Sequence, residues 1–459
     1  MSAPIAPERV LPTLNADGTR RRVRPRLYQG PRLTARRRTA WALMVLFAVA
    51  PWIRIGQKPL ILLDVARREF TLGGRTFLPT DGVLLMLLLL AIFVGIIWTT
   101  ALVGRAWCGW ACPQTVYMEF LFRPIERLFE GNRESQLRLD KTGGGMRRLA
   151  KNATFLLVAF VLANVFLSYF VGTRTLAQWM TRSPFENWSP FLIVAVTTGL
   201  VFFDFAYFRE QMCTVACPYA RIQSVLLDRR SLLVGYDRLR GEPRGKGKPR
   251  PGRGDCIDCG ACVAACPTGI DIRDGLQLEC IACAQCADAC DGIMTKIKKP
   301  LGLIRYGSQA TLESHAPPKT LRPRIVIYPI LLGGLLAALG VLGATRKSAE
   351  VTVLRGIGAP FTTDGELVTG ELRVKVQNRS DSTERYTLGV VASPPVRLIA
   401  PENPLQVGAG SQRTTAVFVV APRASFSGGG RAVTVHVTDT HGFALDVPYR
   451  LVGPSEMKP

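Results

Sequence analysis

Histidine is nearly absent from this 459-residue chain: His315, His436 and His441 are the only three, and none falls in a long apolar run. That excludes paired histidine ligands for a b-type haem inside membrane helices, and histidine-rich copper sites with them. Acidic residues are also scarce. Asp and Glu number 34 against 58 Lys and Arg, a net charge of +24. A soluble basic protein would be more polar than one that is 48% hydrophobic. The cations gather at the ends of apolar runs, which points to membrane spans with arginine-rich flanks and away from nucleic acid. Cysteine is missing before Cys108 and after Cys290, and all twelve lie between. Such a distribution reads as metal and redox chemistry on a reducing side, not as secreted disulfides.

What is there begins with the stretch Cys256 to Cys290. Cys256, Cys259, Cys262 and Cys266 follow a C-x₂-C-x₂-C-x₃-C spacing that ends in Pro267, and Cys280, Cys283, Cys286 and Cys290 repeat it. Eight thiols in two such runs match the pattern that binds two [4Fe–4S] clusters, with the fourth Cys of each run ligating the other cluster. One cluster is thus expected on Cys256, Cys259, Cys262 and Cys290, and the second on Cys280, Cys283, Cys286 and Cys266. Zinc sites use C-x₂-C pairs separated by longer gaps and do not need the third and fourth Cys. Small residues such as Gly260, Ala261, Ala282 and Ala284 fit a chain wrapped tightly on inorganic sulfide. The second run departs from the pattern only in ending Cys290-Asp291-Gly292 in place of Cys-Pro.

The fold class expected is a multi-domain integral membrane protein. It has a five-helix transmembrane core, a bacterial ferredoxin-like 2[4Fe–4S] α+β insert and a C-terminal immunoglobulin-like β-sandwich. Residues 1–38 are a basic segment holding ten Arg against Glu8 and Asp17. The membrane core, 39–236, has spans at 39–55, 82–104, 152–172 and 188–208, and a fifth follows at 324–345. The second is roughly 34 Å long as a helix, enough for a hydrocarbon core of about 30 Å. Residues 105–151 and 209–255 are rich in Arg and Lys, whereas 173–187 holds only Arg174 and Arg182. The positive-inside bias then puts the N-terminus and the cluster insert in the cytoplasm and the C-terminal domain on the opposite side.

Four further cysteines form two copies of Cys-x₃-Cys-Pro: Cys108 and Cys112 before Pro113, and Cys213 and Cys217 before Pro218. Each follows a span at its cytoplasmic end. On a continued helix, residues i and i+4 share a face, so each pair would present two sulfurs together. Soft thiolates favour Cu(I), Zn or Fe–S. Met118 and Met212 lie close by in sequence and could add thioether ligands, although ordinary packing is the plainer reading. Asp204, near the end of the fourth span, costs about 2.5–3.5 kcal/mol at mid-membrane and either reaches the boundary or has a proton or metal role. Residues 237–254, dominated by Arg, Lys, Gly and Pro, read as a flexible basic linker to the insert at 255–323. Residues 346–459 carry short alternating runs at spacings typical of a β-sandwich and no Cys, and read as an outer, partner-docking domain.

With these motifs in place the chain resembles the CcoG/FixG/RdxA family, membrane polyferredoxin-like accessory proteins of cbb3-type cytochrome c oxidase assembly. The resemblance runs over nearly the whole length. It includes Cys108-Gly109-Trp110-Ala111-Cys112-Pro113, Arg209-Glu210-Gln211, Cys217-Pro218-Tyr219-Ala220-Arg221 and Arg240-Gly241-Glu242-Pro243-Arg244-Gly245. It implies reduction of Cu(II) to Cu(I) in a bacterial inner membrane, with Cys108, Cys112, Cys213 and Cys217 as the copper-handling, catalytic thiols. It implies copper-delivery and oxidase-assembly factors as partners, and it leaves the electron donor unspecified and a homodimer allowed. Two other functions fit the same motifs: a quinol-linked electron relay to a periplasmic reductase, and a non-enzymatic copper carrier or assembly scaffold.

Overall fold

The computed structural model describes residues 13, 17, 19–56, 58–66, 69–77, 81–246, 251–275, 277–314, 322–380 and 382–454. His315 lies outside them. The chain divides into two compact units: the residues up to Arg75 with Leu85–Ala337, and Thr76–Leu84 with Ala338 onward.

The first helix of the larger unit, α1, spans Pro31–Val49. It is followed by α2 (Gly82–Val103), α3 (Gly145–Val171), α4 (Trp188–Phe202, wound on to Phe208 as a π-helix) and α5 (Pro323–Ala344). Among the described residues, α2 to α5 are the helices long and apolar enough to cross a membrane. Their outward faces are large apolar side chains such as Phe93, Leu157, Leu192 and Leu331, as lipid contact requires. The first expected span, 39–55, takes a different form. Residues 39–49 are only the second half of α1, a 3₁₀ turn carries the helix to Trp52, and Arg54–Ile55 is already strand. Arg32, Arg36, Arg37 and Arg38 occupy the first turns of α1, so by composition it is not an apolar span. It nevertheless reaches from the insert to the far end of α3. Arg32 pairs with Asp288 at 3.2 Å, and Phe47 stacks on Tyr169 with ring centroids 5.1 Å apart. Helix and 3₁₀ turn together make roughly 33 Å.

The insert also differs from its expected bounds. Strand Leu232–Tyr236 pairs antiparallel with Ile304–Ser308, Val234 opposite Tyr306, so the domain begins before residue 237. Much of the stretch read as a flexible linker is packed. Asp237 caps the helix Arg238–Gly241 and pairs with Arg305 at 2.9 Å. Arg240 bonds Asp255 at 2.6 Å, and the Cys256 amide donates to the Gly241 carbonyl. The polar side chains of 237–244 find specific partners in the insert, and that overrides the disorder their composition suggests.

At the membrane edge lies a network of buried charge. Glu126 accepts both terminal nitrogens of Arg209, at 2.9 and 2.7 Å, and also meets Arg24 and Lys151. Burial by itself would raise its pKa. The three cations overcome that and hold the carboxyl well below the usual carboxylate range. Arg209 has φ +55°, a conformation costly for a side chain with a Cβ. It sits between two π-helical segments, Phe203–Phe208 and Met212–Ala216, and the bidentate pair holds it there.

In the second unit, strand 367–378 alternates inward residues Val368, Leu372, Val374 and Val376 with outward ones. It is flanked by 349–355 and 412–422 in one sheet, while 384–391, 430–438 and 444–452 build the other. Asp81, just before α2, pairs with Arg346 at 2.6 Å and Arg379 at 3.1 Å, so the start of α2 and the end of α5 lie on one side.

Glu126→Ala would leave Arg24, Arg209 and Lys151 buried without their shared partner, a loss of about 3–5 kcal/mol. The variant is expected to unfold at lower temperature in detergent. Because the native pKa is depressed, this stabilisation is present at neutral pH and disappears as pH falls through the carboxylate range toward that lowered value. Thermal melts of wild type and variant should therefore converge in acid.

Candidate metal centre

Both cysteine runs of the insert turn by the same device. Asp258 (φ +52°) and Gly260 (φ +67°) flank Cys259, and Ala282 (φ +53°) and Ala284 (φ +56°) flank Cys283 at the equivalent positions. Left-handed residues alternating with extended ones curl the backbone so that its amides face inward, a concavity suited to anions and Fe–S sites. Helices Ala261–Ala265 and Gln285–Lys296 follow the two loops and meet through Ala261, Ala265 and Ala289, whose small side chains allow close approach.

The structure brings the eight thiols of the two runs together. Cys290 feels the charge of Cys262, Cys256 and Cys259, and Cys280, Cys283 and Cys286 feel that of Cys266, while Cys286 also feels Cys262. Cys266, Cys280, Cys283 and Cys286, together with Cys262 of the other set, line one apolar cavity with Val234, Ile270, Ile272 and Ile281. Burial pushes the Cys280 and Cys290 thiols up to about 12 and those of Cys262 and Cys283 up to about 11. Among the described residues no three His, Cys, Asp or Glu side chains close tightly enough on one point to hold a single metal ion. Eight sulfurs spread around inward-facing amides fit a polynuclear cluster and not lone zinc ions.

The two Cys-x₃-Cys-Pro motifs are not continued helices. Cys108 lies in the short helix Ala106–Trp110, and Cys112 (ψ +126°) is the extended residue before a new helix opening at Pro113. Cys213 lies in the π-helical turn Met212–Ala216, and Cys217 (ψ +111°) precedes a helix opening at Pro218. Proline clashes with a helical residue before it, so the chain breaks at each second cysteine. The four thiols still converge: Cys213 feels Cys112, Cys108 and Cys217. Burial raises the pKa of Cys112 and Cys213 and carries Cys108 up to about 12. They too stay too far apart to share one ion as they stand. Asp204 is next to Cys112 and Cys213 and accepts from Gln114 Nε2 at 3.1 Å. Met118 is core, 4% exposed. The Cys108 thiol donates to Gln223 Oε1 at 3.3 Å, and Gln223 Nε2 is fixed by the Gly104 carbonyl at 3.0 Å.

The two sets of cysteines are docked on one another. A Cβ on Gly109, the residue after Cys108, would stand 2.5 Å from the Ile281 carbonyl and 2.9 Å from the Cys283 backbone. Arg36 Nε donates to the Gly109 carbonyl at 2.8 Å. Arg105 reaches the Cys280 and Ala220 carbonyls. Trp110 Nε1 donates to Tyr306 Oη at 2.9 Å, and Tyr306 donates on to the Ala282 carbonyl at 2.7 Å. Gly109, Arg36, Arg105, Trp110, Tyr306 and Gln223 were not singled out from the sequence as site residues. Gly109 and Trp110 lie inside a motif that drew attention only to its sulfurs.

Comparison with known proteins follows the same division. The description "4Fe-4S dicluster domain" matches residues 208–309. "4Fe-4S binding domain" matches 85–132, which takes in Cys108 and Cys112. "IG-like fold at C-terminal of FixG, putative oxidoreductase" matches 339–454. Protein RdxA of Cereibacter sphaeroides is 34% identical over 383 residues, 78% of this chain and 80% of that protein. Protein RdxB of the same organism is 34% identical over 404 residues, 82% of this chain and 84% of that one. Nitrogen fixation protein FixG of Rhizobium meliloti is 37% identical over 298 residues, 61% of this chain and 56% of that protein.

Gly109→Val forces apart the contact with Ile281 and Cys283. It is expected to lower iron content from about eight atoms per chain toward four, with loss concentrated in the cluster nearest the membrane. Iron analysis with electron paramagnetic resonance of the reduced protein checks this.

Proposed function

The chain belongs to the FixG/RdxA family, and from that premise we propose that this membrane iron–sulfur electron-transfer protein reduces Cu(II) to Cu(I) for assembly of a cbb3-type cytochrome c oxidase. The observation that carries the reading is the contact at Gly109. It seats the Cys280–Cys286 loop against the turn that holds Cys108 and Cys112. Cys256, Cys259, Cys262 and Cys290 would hold one [4Fe–4S] cluster, and Cys266, Cys280, Cys283 and Cys286 the other. Such clusters supply single electrons, the number a cupric ion needs. Cys108, Cys112, Cys213 and Cys217 receive the copper, and soft sulfur favours the Cu(I) product over Cu(II). The raised pKa values of Cys108, Cys112 and Cys213 mean that copper entry displaces protons. Their present separation means that the two motifs close around the ion. Gln223 aims Cys108, and Gln114 and Asp204 line the approach to Cys112.

In this reading the N-terminal segment, residues 105–142 and the insert are cytoplasmic in a bacterial inner membrane. The β-domain is periplasmic and docks an assembly partner. The arginine-rich flanks support that orientation. The extent of α1 supports five crossings, as does the placing of the start of α2 and the end of α5 on one side. A quinol-linked relay is less well supported. An apolar cleft of about 760 Å³ lies between α3 and α4, running from Trp179, Arg182 and Asn187 along to Ala153, Thr198 and Gly199, and no cysteine lines it.

Replacement of Cys108, Cys112, Cys213 and Cys217 by Ser is expected to abolish Cu(I) formation by the anaerobically reduced protein while leaving both cluster signals intact. A chromogenic Cu(I) chelator reads the product, and absorbance reads the clusters. Undiminished Cu(I) formation in the fourfold variant would sink the thiol assignment, and copper bound by wild type without turnover would favour a carrier.

A further inference from the structure

We propose that an anionic phospholipid binds at the membrane edge between α1 and the helix Arg123–Glu130, with its phosphate between Arg37 and Arg127 and an acyl chain along one side of α1. The inference needs only that the protein sits in a membrane, and takes nothing from the copper reading. A pocket of about 280 Å³ lies at this place. Arg37, Trp41, Phe120 and Arg127 line it, and so does Glu119. Among the described residues neither the Arg37 nor the Arg127 guanidinium makes a salt bridge or a hydrogen bond. Burial lowers the pKa of Arg127; Glu119 and Glu126 oppose that, and the charges of Arg123 and Arg37 add to it. The two acids are already engaged. Glu119 is bonded to Arg123, and Glu126 is shared by Arg24, Arg209 and Lys151. The ion-pair network to which both belong joins seven Arg and Lys to five Asp and Glu. It has no carboxylate to spare for Arg37 or Arg127. Arg36 adds a further donor beside the pocket: it is wholly buried, 5.3 Å from the centre of the Phe120 ring, and its Nη2 finds no acceptor among the described residues.

The apolar half of the site runs on from the charged half. Arg37, Trp41, Val45 and Val49 recur every fourth residue of α1, and all four are exposed. Each therefore stands about one turn beyond the last, in a shallow spiral along one side of the helix. The rise from Arg37 to Val49 is roughly 18 Å, a little more than half of a hydrocarbon core about 30 Å thick. A guanidinium stands at the start of this track, an indole follows at the level where tryptophan favours the headgroups, and two valines continue inward. Leu128, the residue after Arg127, is 79% exposed and adds apolar surface on the facing helix. The order of phosphate, ester region and acyl chain in a phospholipid matches the order of these side chains. A soluble phosphate would satisfy the arginines and leave the track uncovered. Basic pockets between helices at a membrane edge take anionic headgroups by the same charge matching.

The test uses the full-length protein with its clusters, in detergent and stripped of lipid. It is titrated with phosphatidylglycerol or phosphatidylcholine of the same acyl chains and read by native mass spectrometry. The first phosphatidylglycerol is expected to bind about tenfold or more tightly than phosphatidylcholine. Arg37→Gln with Arg127→Gln should erase that preference, and the Lys replacements should retain most of it. Arg138→Gln with Arg147→Gln removes the same charge from exposed positions outside the pocket and should leave the preference unchanged. Cluster absorbance checks that each variant is folded. Brominated phosphatidylglycerol should quench Trp41, read as the difference between the wild type and Trp41→Phe. Equal affinity for the two lipids in the wild type would overturn the proposal whatever the variants do. So would a preference that both pairs of Gln replacements lower alike, which is diffuse surface attraction. Displacement of the lipid by equimolar glycerol 3-phosphate, the mark of a soluble-anion site, or an unquenched Trp41 would overturn it too. None of these outcomes bears on copper, which the fourfold Ser variant tests separately.

Discussion

Two stretches of backbone touch at Gly109, and the arrangement of the larger unit follows from that contact. A soluble ferredoxin-like fold and a membrane helix ending ordinarily meet through side chains. Here the Ile281 carbonyl and the Cys283 backbone occupy the place where any other residue would carry a Cβ, so only glycine permits the approach. The contact is then locked from both sides. Arg36 on α1 holds the Gly109 carbonyl, Arg105 holds Cys280, and the Trp110–Tyr306–Ala282 chain ties the motif to the insert's β-strand. None of these bonds is worth more than about 1–3 kcal/mol. Together they convert a domain that could hinge into one whose second cysteine run has a fixed seat.

The belt of buried charge serves the same geometry. Glu126, Glu130, Arg24, Arg209 and Lys151 would each be expensive away from water, and their mutual pairing offsets that cost without a large net gain. Their yield is positional. Arg24 ties the N-terminal segment to the insert, with Arg22 beside Ala264 and Tyr28 packed on Ala261, Ala265 and Ala289. Arg209 holds the sharp turn between the two π-helical segments, and that turn aims Cys213 at the opposite motif. Arg123 donates to the Pro267 carbonyl at 3.1 Å, so the belt also grips the loop just after Cys266. An apolar core at this level could pack as tightly, but it would not specify which backbone carbonyls meet which helix.

What was legible in the sequence is what depends on local spacing. The cysteine runs, the four apolar spans and most of the sandwich strands are properties of short windows, and four long apolar helices and the sandwich sheets lie where those windows fall. Strands 362–364 and 405–407 are too short to show alternation, whereas 349–353 alternates Ala, Glu, Val, Thr and Val and is a legible strand that the expected set omits. The Cys-x₃-Cys-Pro spacing suggests one helical face, whereas Pro113 and Pro218 break the helix at the second cysteine. The stretch 237–254 was read from composition as a linker, although Asp237 and Arg240 have partners some 60 residues away. Gln223 gives no local sign of its role, since only the fold brings it to Cys108. Arg36 was visible as charge, but charge alone does not say that one guanidinium of three in a row faces a glycine carbonyl.

Burial of the thiols links the chemistry to protection. A thiol pushed up to about 12, as Cys108 and Cys280 are, is almost wholly protonated at neutral pH. In that form it neither attacks a disulfide nor oxidises readily. Before a metal arrives, burial therefore guards these thiols. A metal centre reverses the balance, because a coordinating thiol gives up its proton outright. The same burial that protects the sulfurs makes occupancy depend on a cation strong enough to displace those protons, which iron in a cluster and copper both are. Cys259 is the exception, the one exposed cysteine of the twelve.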